Sequence, residues 1–159
     1  MGCMICDRID LTKRGENPFL VRELETGYVV IGDHQHFRGY SLFLCKAHAT
    51  ELHFLPQPFR SKHLEELALV YEAIYRAFQP DKMNCELLGM GEGSAHIHWH
   101  LFPRRDGDID HRGPVWHMPF EEMYAEDKRP SPEELTELKA ALGRALEELL
   151  CAHNEVEGS

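Results

Sequence analysis

The ten residues His96-Ile97-His98-Trp99-His100-Leu101-Phe102-Pro103-Arg104-Arg105 constrain this chain more than any other stretch. Three histidines alternate with apolar residues, and a proline and two arginines follow. Successive side chains on a β-strand point to opposite faces. A strand here puts His96, His98 and His100 on one face, roughly 6–7 Å apart, and Ile97, Trp99 and Leu101 on the other. The apolar row can enter a core, which leaves the imidazoles over a pocket where a small anion can touch two or three of them. In a helix, at about 100° per residue, neither set would share a face.

The chain has 159 residues, 43% hydrophobic and 28% charged, which suits a single domain, residues 1–159, with a core of its own. It contains no apolar run long enough to span a membrane. The start, Met1 to Arg8, lacks a secretory pattern, so a cytoplasmic location is expected. A net charge of −10 argues against a nucleic-acid polymer as partner. A small phosphorylated ligand feels the local field instead, and from His96 to Arg105 there is no acid. The five cysteines, an odd number, do not suggest a disulfide framework. Cys45 and Cys85 sit in apolar runs and are expected in the core, while Cys3 and Cys6 form a C-x-x-C pair.

In chain order, Asn17 to Leu24 is expected to hold a short strand or a helical turn. Tyr28–Ile31 and Tyr40–Cys45 are strands joined by a polar loop. After Pro56-Gln57-Pro58, Ser61 is expected to cap a helix. Leu64, Leu67, Ala68, Tyr71, Ile74, Tyr75 and Phe78 form its apolar stripe, and Pro80 ends it. Met83–Leu88 is a third strand, and a glycine-rich link, Gly89 to Ser94, leads into the histidine strand. Short connections favour antiparallel pairing. Gly113 to Phe120 reads as irregular. Ser131 as N-cap and Pro132 at the first helical position open a last helix over about 131–152. Its apolar face runs through Leu135, Leu138, Leu142, Leu146, Leu149 and Leu150, and residues 154–159 are expected to fray. The fold class is α+β: an antiparallel sheet of about five strands with a packed helix and a C-terminal helix.

A row of imidazoles over a pocket has three uses. A neutral imidazole with one nitrogen held and the other free can attack an α-phosphate, forming a phosphoramidate that water later cleaves. Histidines at i and i+2 can ligate a catalytic zinc. The third reading is of surface histidines on an exposed strand. For the first use, His98, flanked on its own face by both neighbours, fits the nucleophile, with His100 donating to a phosphate oxygen or the leaving group and His96 ordering the pair.

The pattern His96-Ile97-His98-Trp99-His100-Leu101-Phe102 resembles the motif that names the histidine triad (HIT) superfamily of nucleotide hydrolases and transferases. Pro103-Arg104 is similar to its fragile-histidine-triad and bacterial dinucleoside polyphosphate hydrolase members, and Gly39 to His48 to its strand ending in K-x-H. The resemblance covers roughly residues 3–125. It implies a HIT-like fold and a nucleotide hydrolase that cleaves at the α-phosphate through a nucleotidyl-His98 intermediate. His100 would contact the phosphate, supported by His96 and His48. The leading substrates are dinucleoside polyphosphates, followed by nucleoside phosphoramidates or nucleotidyl transfer. A zinc hydrolase with histidine ligands and a non-catalytic nucleotide-binding protein are the readings of other classes.

The resemblance also implies a structural zinc on Cys3, Cys6, His48 and His96, no organic cofactor, and a homodimer. Trp116 and His117 are expected near the site, within the chain or across a dimer interface. Asp33 matches the position of a residue that binds ribose hydroxyls, the competing reading being a plain loop aspartate. The chain departs from the family before the triad, where Met90 and Glu92 stand near positions that usually carry amides. Phosphate contacts are expected instead from the backbone of Gly91 and Gly93 and from Ser94. Arg104 and Arg105 are expected either to bind distal phosphates of a dinucleotide, or to be ordinary solvated arginines, or to pair with Asp106 or Asp108.

Overall fold

The computed structural model describes residues 2–91 and 93–157. Five strands form one antiparallel sheet: β1 (Leu20–Glu23), β2 (Gly27–Ile31), β3 (Ser41–Cys45), β4 (Lys82–Leu87) and β5 (His98–Arg104), in the order β1-β2-β3-β5-β4. The histidine strand therefore lies inside the sheet, between β3 and the edge strand β4. His98 pairs with Leu44 and His100 with Leu42, so these four share a face, while Trp99 and Leu101 share the other with Phe43 and Ser41.

Two long helices cover that second face: α2 (Phe59–Phe78) and, numbered last, α4 (Pro132–Glu157). They enclose the main core with Val29, Ile31, Phe43, Ile97, Trp99 and Leu101. Among the described residues, the first face is covered at its two ends. At one end α1 (Met4–Lys13) packs Ile5 and Ile9 on Tyr28, Val30 and Leu44. At the other, Val115, Met118 and Met123 close over Phe37, Tyr40 and Phe102; this segment includes α3 (Phe120–Met123). Between these covers the sheet is open above His98 and His100, and that gap is the cleft.

Several elements differ from expectation. The helix α1 does not stand out in the sequence because its buried residues, Ile5, Ile9 and Thr12, are spaced among charges. Cys3 caps it, its Sγ accepting the Cys6 N–H at 3.4 Å. The helix α2 starts at Phe59 rather than after Ser61, because the Gln57 side chain accepts from the Ser61 N–H (3.3 Å) and hydroxyl (2.8 Å). Its buried stripe is His63, Glu66, Val70, Ala73 and Ile74, while Leu64 and Tyr75 are exposed. His63 and Glu66 can be deep because each is hydrogen-bonded there. Cys45 is in the core, but Cys85 is exposed on the edge strand. The Ser131 cap forms as expected, its hydroxyl accepting the Glu134 N–H while Glu134 accepts the Ser131 N–H. The helix it opens continues to Glu157 instead of fraying at 154. Glu92 lies outside the described residues, as do 158 and 159. No helix among the described residues is long and apolar enough to cross a membrane.

Candidate functional site

The three histidines do not form a uniform row. His96 precedes β5, and its buried ring turns away from the cleft, with Nε2–H donating to the Cys45 carbonyl at 2.8 Å. Its Nδ1 then faces Cys6 Sγ at 3.5 Å and Cys3 Sγ at 3.6 Å. His48 Nδ1 lies 3.1 Å from Cys6 Sγ. The four ligand atoms of Cys3, Cys6, His48 and His96 all fall within 4.8 Å of one another. Tetrahedral zinc with sulfur and nitrogen ligands needs edges of about 3.3–3.8 Å, so this set fits a closed four-ligand metal site. Burial lowers the pKa of His96 and keeps it in the neutral form a metal requires. The Cys45 carbonyl selects the tautomer that leaves Nδ1 free.

His98 and His100 remain in the cleft, their ring centroids 4.8 Å apart. The His98 Nδ1 is 2.7 Å from the His96 carbonyl. A carbonyl only accepts, so Nδ1 carries the proton and Nε2 keeps its lone pair. His100 bonds through Nδ1 to the Tyr40 hydroxyl at 2.6 Å. Burial pushes His100 down to about 4, with a smaller contribution from His98, so its ring is neutral near pH 7.

The cleft measures about 500 Å³. Met4, Ile5 and Arg8 from α1 line one side; Val30, Leu42 and Leu44 form its floor; Phe120 and Tyr124 line the far side. Asp33 is at its edge, gripped by Arg8 through two hydrogen bonds of 2.9 and 2.6 Å. Leu88, Met90 and Phe120 at the rim are more than half exposed. Among the described residues lining the cleft, Arg8 is the one arginine and there is no lysine.

Other expected contacts fall elsewhere. Arg104 does not line the cleft: its guanidinium pairs with both Asp108 oxygens and donates to Asn84 and to the Gly113 carbonyl. Arg105 donates to the Arg38 and Phe78 carbonyls. Ser94 lines the cleft, but its N–H and hydroxyl both donate to the Gly91 carbonyl. Gly93 sits under α1, its carbonyl accepting the Met4 N–H at 2.9 Å. Trp116 and His117 are exposed and do not line the cleft. The sequence pattern did not single out Arg8, Tyr40 or Tyr124. Register was the available signal for Tyr40, which enters the strand paired with the histidine strand.

The HIT domain model matches residues 17–107, more than half of the chain. The chain belongs to the HIT family. The match spans the sheet and both cleft histidines but begins after the cysteine pair. No curated protein sequence matches this HIT protein. Its fold is that of solved histidine triad structures. A hypothetical histidine triad nucleotide-binding protein from Sulfolobus tokodaii is 20% identical with TM-score 0.68, over 91% of this chain and 93% of that one. A histidine triad protein from Marinobacter aquaeolei is 24% identical with TM-score 0.67, over 82% and 89%. A zinc-bound family member from Mycobacterium smegmatis is 24% identical with TM-score 0.59, over 94% and 96%.

Proposed function

We propose that this HIT protein hydrolyses a nucleotide at its α-phosphate through a covalent intermediate on His98. The supporting observation is the 2.7 Å bond from His98 Nδ1–H to the His96 carbonyl, which leaves Nε2 as an oriented lone pair in the cleft. Nε2 attacks phosphorus, an N–P bond forms, and the bond from phosphorus to the leaving group breaks. The leaving group departs with the bonding pair and takes a proton from solvent. Water then attacks phosphorus, the N–P bond breaks, and a nucleoside monophosphate is released. His100 donates to a phosphate oxygen, Asp33 accepts from ribose hydroxyls, and the apolar floor takes the base.

The cleft's chemistry favours a nucleoside phosphoramidate over the dinucleoside polyphosphates that the sequence put first. A polyphosphate chain needs cations, yet Arg104 and Arg105 are engaged elsewhere and Arg8 is committed to Asp33. The exposed rim residues suit a neutral or apolar leaving group. Zinc on Cys3, Cys6, His48 and His96 would cross-link α1 to the sheet. With four protein ligands it offers no open position, so the role is structural. The exposed Trp116 and the open β4 edge support the expected homodimer.

The test is brief incubation with labelled adenosine phosphoramidate or labelled diadenosine polyphosphate, followed by trapping and mapping of the modified residue. A nucleotidyl-His98 adduct is expected, with larger kcat/KM on the phosphoramidate. His98→Ala is expected to abolish both turnover and adduct in a folded protein. Undiminished turnover in that variant overturns the mechanism; a larger kcat/KM on the polyphosphate reverses the substrate order.

A further inference from the structure

His98 and His100 are held by different kinds of partner. The His98 partner is a carbonyl, which fixes one tautomer. The partner of His100 is the Tyr40 hydroxyl, which can either donate or accept. We propose that Tyr40 is a positioning residue for His100: its hydroxyl donates to Nδ1 and so places the ring's proton on Nε2, the nitrogen offered to a phosphate oxygen. This rests on the proposed phosphate position beside His98, whereas the tautomer itself can be observed without any substrate.

Tyr40 is built to hold one position. It is buried, with its ring parallel to Phe102 at 4.3 Å and to His100 at 6.1 Å. Its backbone N–H donates to Phe37, and its carbonyl accepts from Gly32 N–H and the Gln35 side chain, each at 2.8–2.9 Å. The phenol packs so closely on Gly32 that a methyl group there would collide with the ring. Burial, reinforced by Tyr124, Asp33 and Glu86, keeps the hydroxyl protonated. Tyr124, which lines the same cleft, also meets this hydroxyl.

The opposite arrangement fails on charge. A neutral His100 has one proton to place. Were it on Nδ1, Nε2 would present a lone pair to an anionic oxygen. With Tyr40 donating, neighbouring imidazoles 4.8 Å apart take opposite tautomers, and the cleft presents one nucleophile and one donor. Burial supports this by keeping His100 uncharged.

The experiment is long-range proton–nitrogen NMR of the histidine rings in the nucleotide-free full chain, with kinetics of Tyr40→Phe. The wild type is expected to show His100 protonated at Nε2 and His98 at Nδ1. Tyr40→Phe retains the stacked ring and is expected to mix the His100 tautomers. It should lower kcat about tenfold to a hundredfold, the scale of a misplaced catalytic contact, with KM within about twofold. A wild-type His100 protonated at Nδ1, or unchanged kcat in Tyr40→Phe, overturns the proposal. Because the wild-type spectrum needs no variant, a misfolded Tyr40→Phe does not remove the test. Failure of the His98 mechanism is separately visible as turnover in His98→Ala with the His100 tautomer as expected.

Discussion

Arg8 grips Asp33 with two parallel hydrogen bonds, Nη1 to Oδ1 at 2.9 Å and Nη2 to Oδ2 at 2.6 Å. The pair ties α1 to the loop after β2 along one edge of the cleft. Both side chains are about 30% exposed, so the pair adds at most about 1 kcal/mol of stability. Its larger effect is geometric. A bidentate guanidinium fixes the plane of the carboxylate while leaving each oxygen a further lone pair. Arg8→Met retains contact with the Phe19 ring beneath the guanidinium but releases Asp33. The expected result is a KM for ribonucleotides raised about tenfold, kcat nearly unchanged, and Tm within about 3 °C of wild type. Steady-state kinetics on ribo and 2′-deoxyribo substrates check it. An unchanged KM would remove Asp33 from the binding site.

Cys3 and Cys6 flank the start of α1, while His48 and His96 belong to the sheet side, so a metal on all four would join the two. Stripping it with a chelator is expected to lower Tm by about 10 °C, corresponding to a few kcal/mol. Turnover measured well below the new Tm should survive, though with raised KM, since Met4, Ile5 and Arg8 line the cleft from α1. Metal analysis and thermal unfolding provide the check. A protein that binds no zinc and is indifferent to chelation sinks the structural role, and immediate loss of kcat in the folded protein points to a catalytic metal.

Behind the cleft, Trp99 Nε1–H donates to His63 Nε2 at 3.1 Å, so His63 Nδ1–H donates to the Thr26 hydroxyl at 2.9 Å, and that hydroxyl donates to Glu66. Burial pushes the fully buried His63 down to about 4 from 6.5. Between those values the unfolded chain binds a proton that the folded chain refuses. Stability therefore falls as pH drops through 6.5 and levels off below about 4. The loss reaches about 2 kcal/mol by pH 5 for His63, and His100, also near 4, adds to it in the same window. Urea unfolding at pH 7 and pH 5 measures the slope, and His63→Gln is expected to flatten part of it. Equal stability at the two pH values contradicts a neutral buried His63.

The alternation in Ile97, His98, Trp99, His100 and Leu101 was legible because a period of two has one meaning when one face enters a core. The meeting of Cys3, Cys6, His48 and His96 was legible through the family resemblance alone, since Cys3 and His96 are 93 positions apart. Arg8 with Asp33 and Tyr40 with His100 were not. Each is a contact between distant segments whose local sequence is ordinary. His63 illustrates a related difficulty. A histidine in a helix looks like a surface residue until Trp99 and Thr26 are known to meet it. For Arg104 the sequence left phosphate contact and pairing with a nearby acid both open, and Asp108, four residues on, is the partner it takes.

Gly39 couples stability to the site, because it stands in the left-handed region, φ +92°, immediately before Tyr40. An alanine there pays a backbone cost of about 1 kcal/mol. Its methyl would also collide with the Phe78 ring at the end of α2. The Gly39 N–H and carbonyl are engaged as well, with the Gln35 side chain and the Ser41 hydroxyl, so relief by shifting the turn breaks bonds. Gly39→Ala is therefore expected to cost about 2–3 kcal/mol, a fall in Tm of about 5–10 °C. It should also lower kcat by displacing Tyr40 from His100. Gly15→Ala is the matched control: its φ is +73°, but an added methyl there meets nothing within 4 Å. That variant should show the backbone cost alone, about 1 kcal/mol, with unchanged kcat. Thermal unfolding and kinetics on the pair separate conformational strain from the packing that aligns the site. Equal Tm and kcat in the two variants would deny the Phe78 contact any role in holding Tyr40.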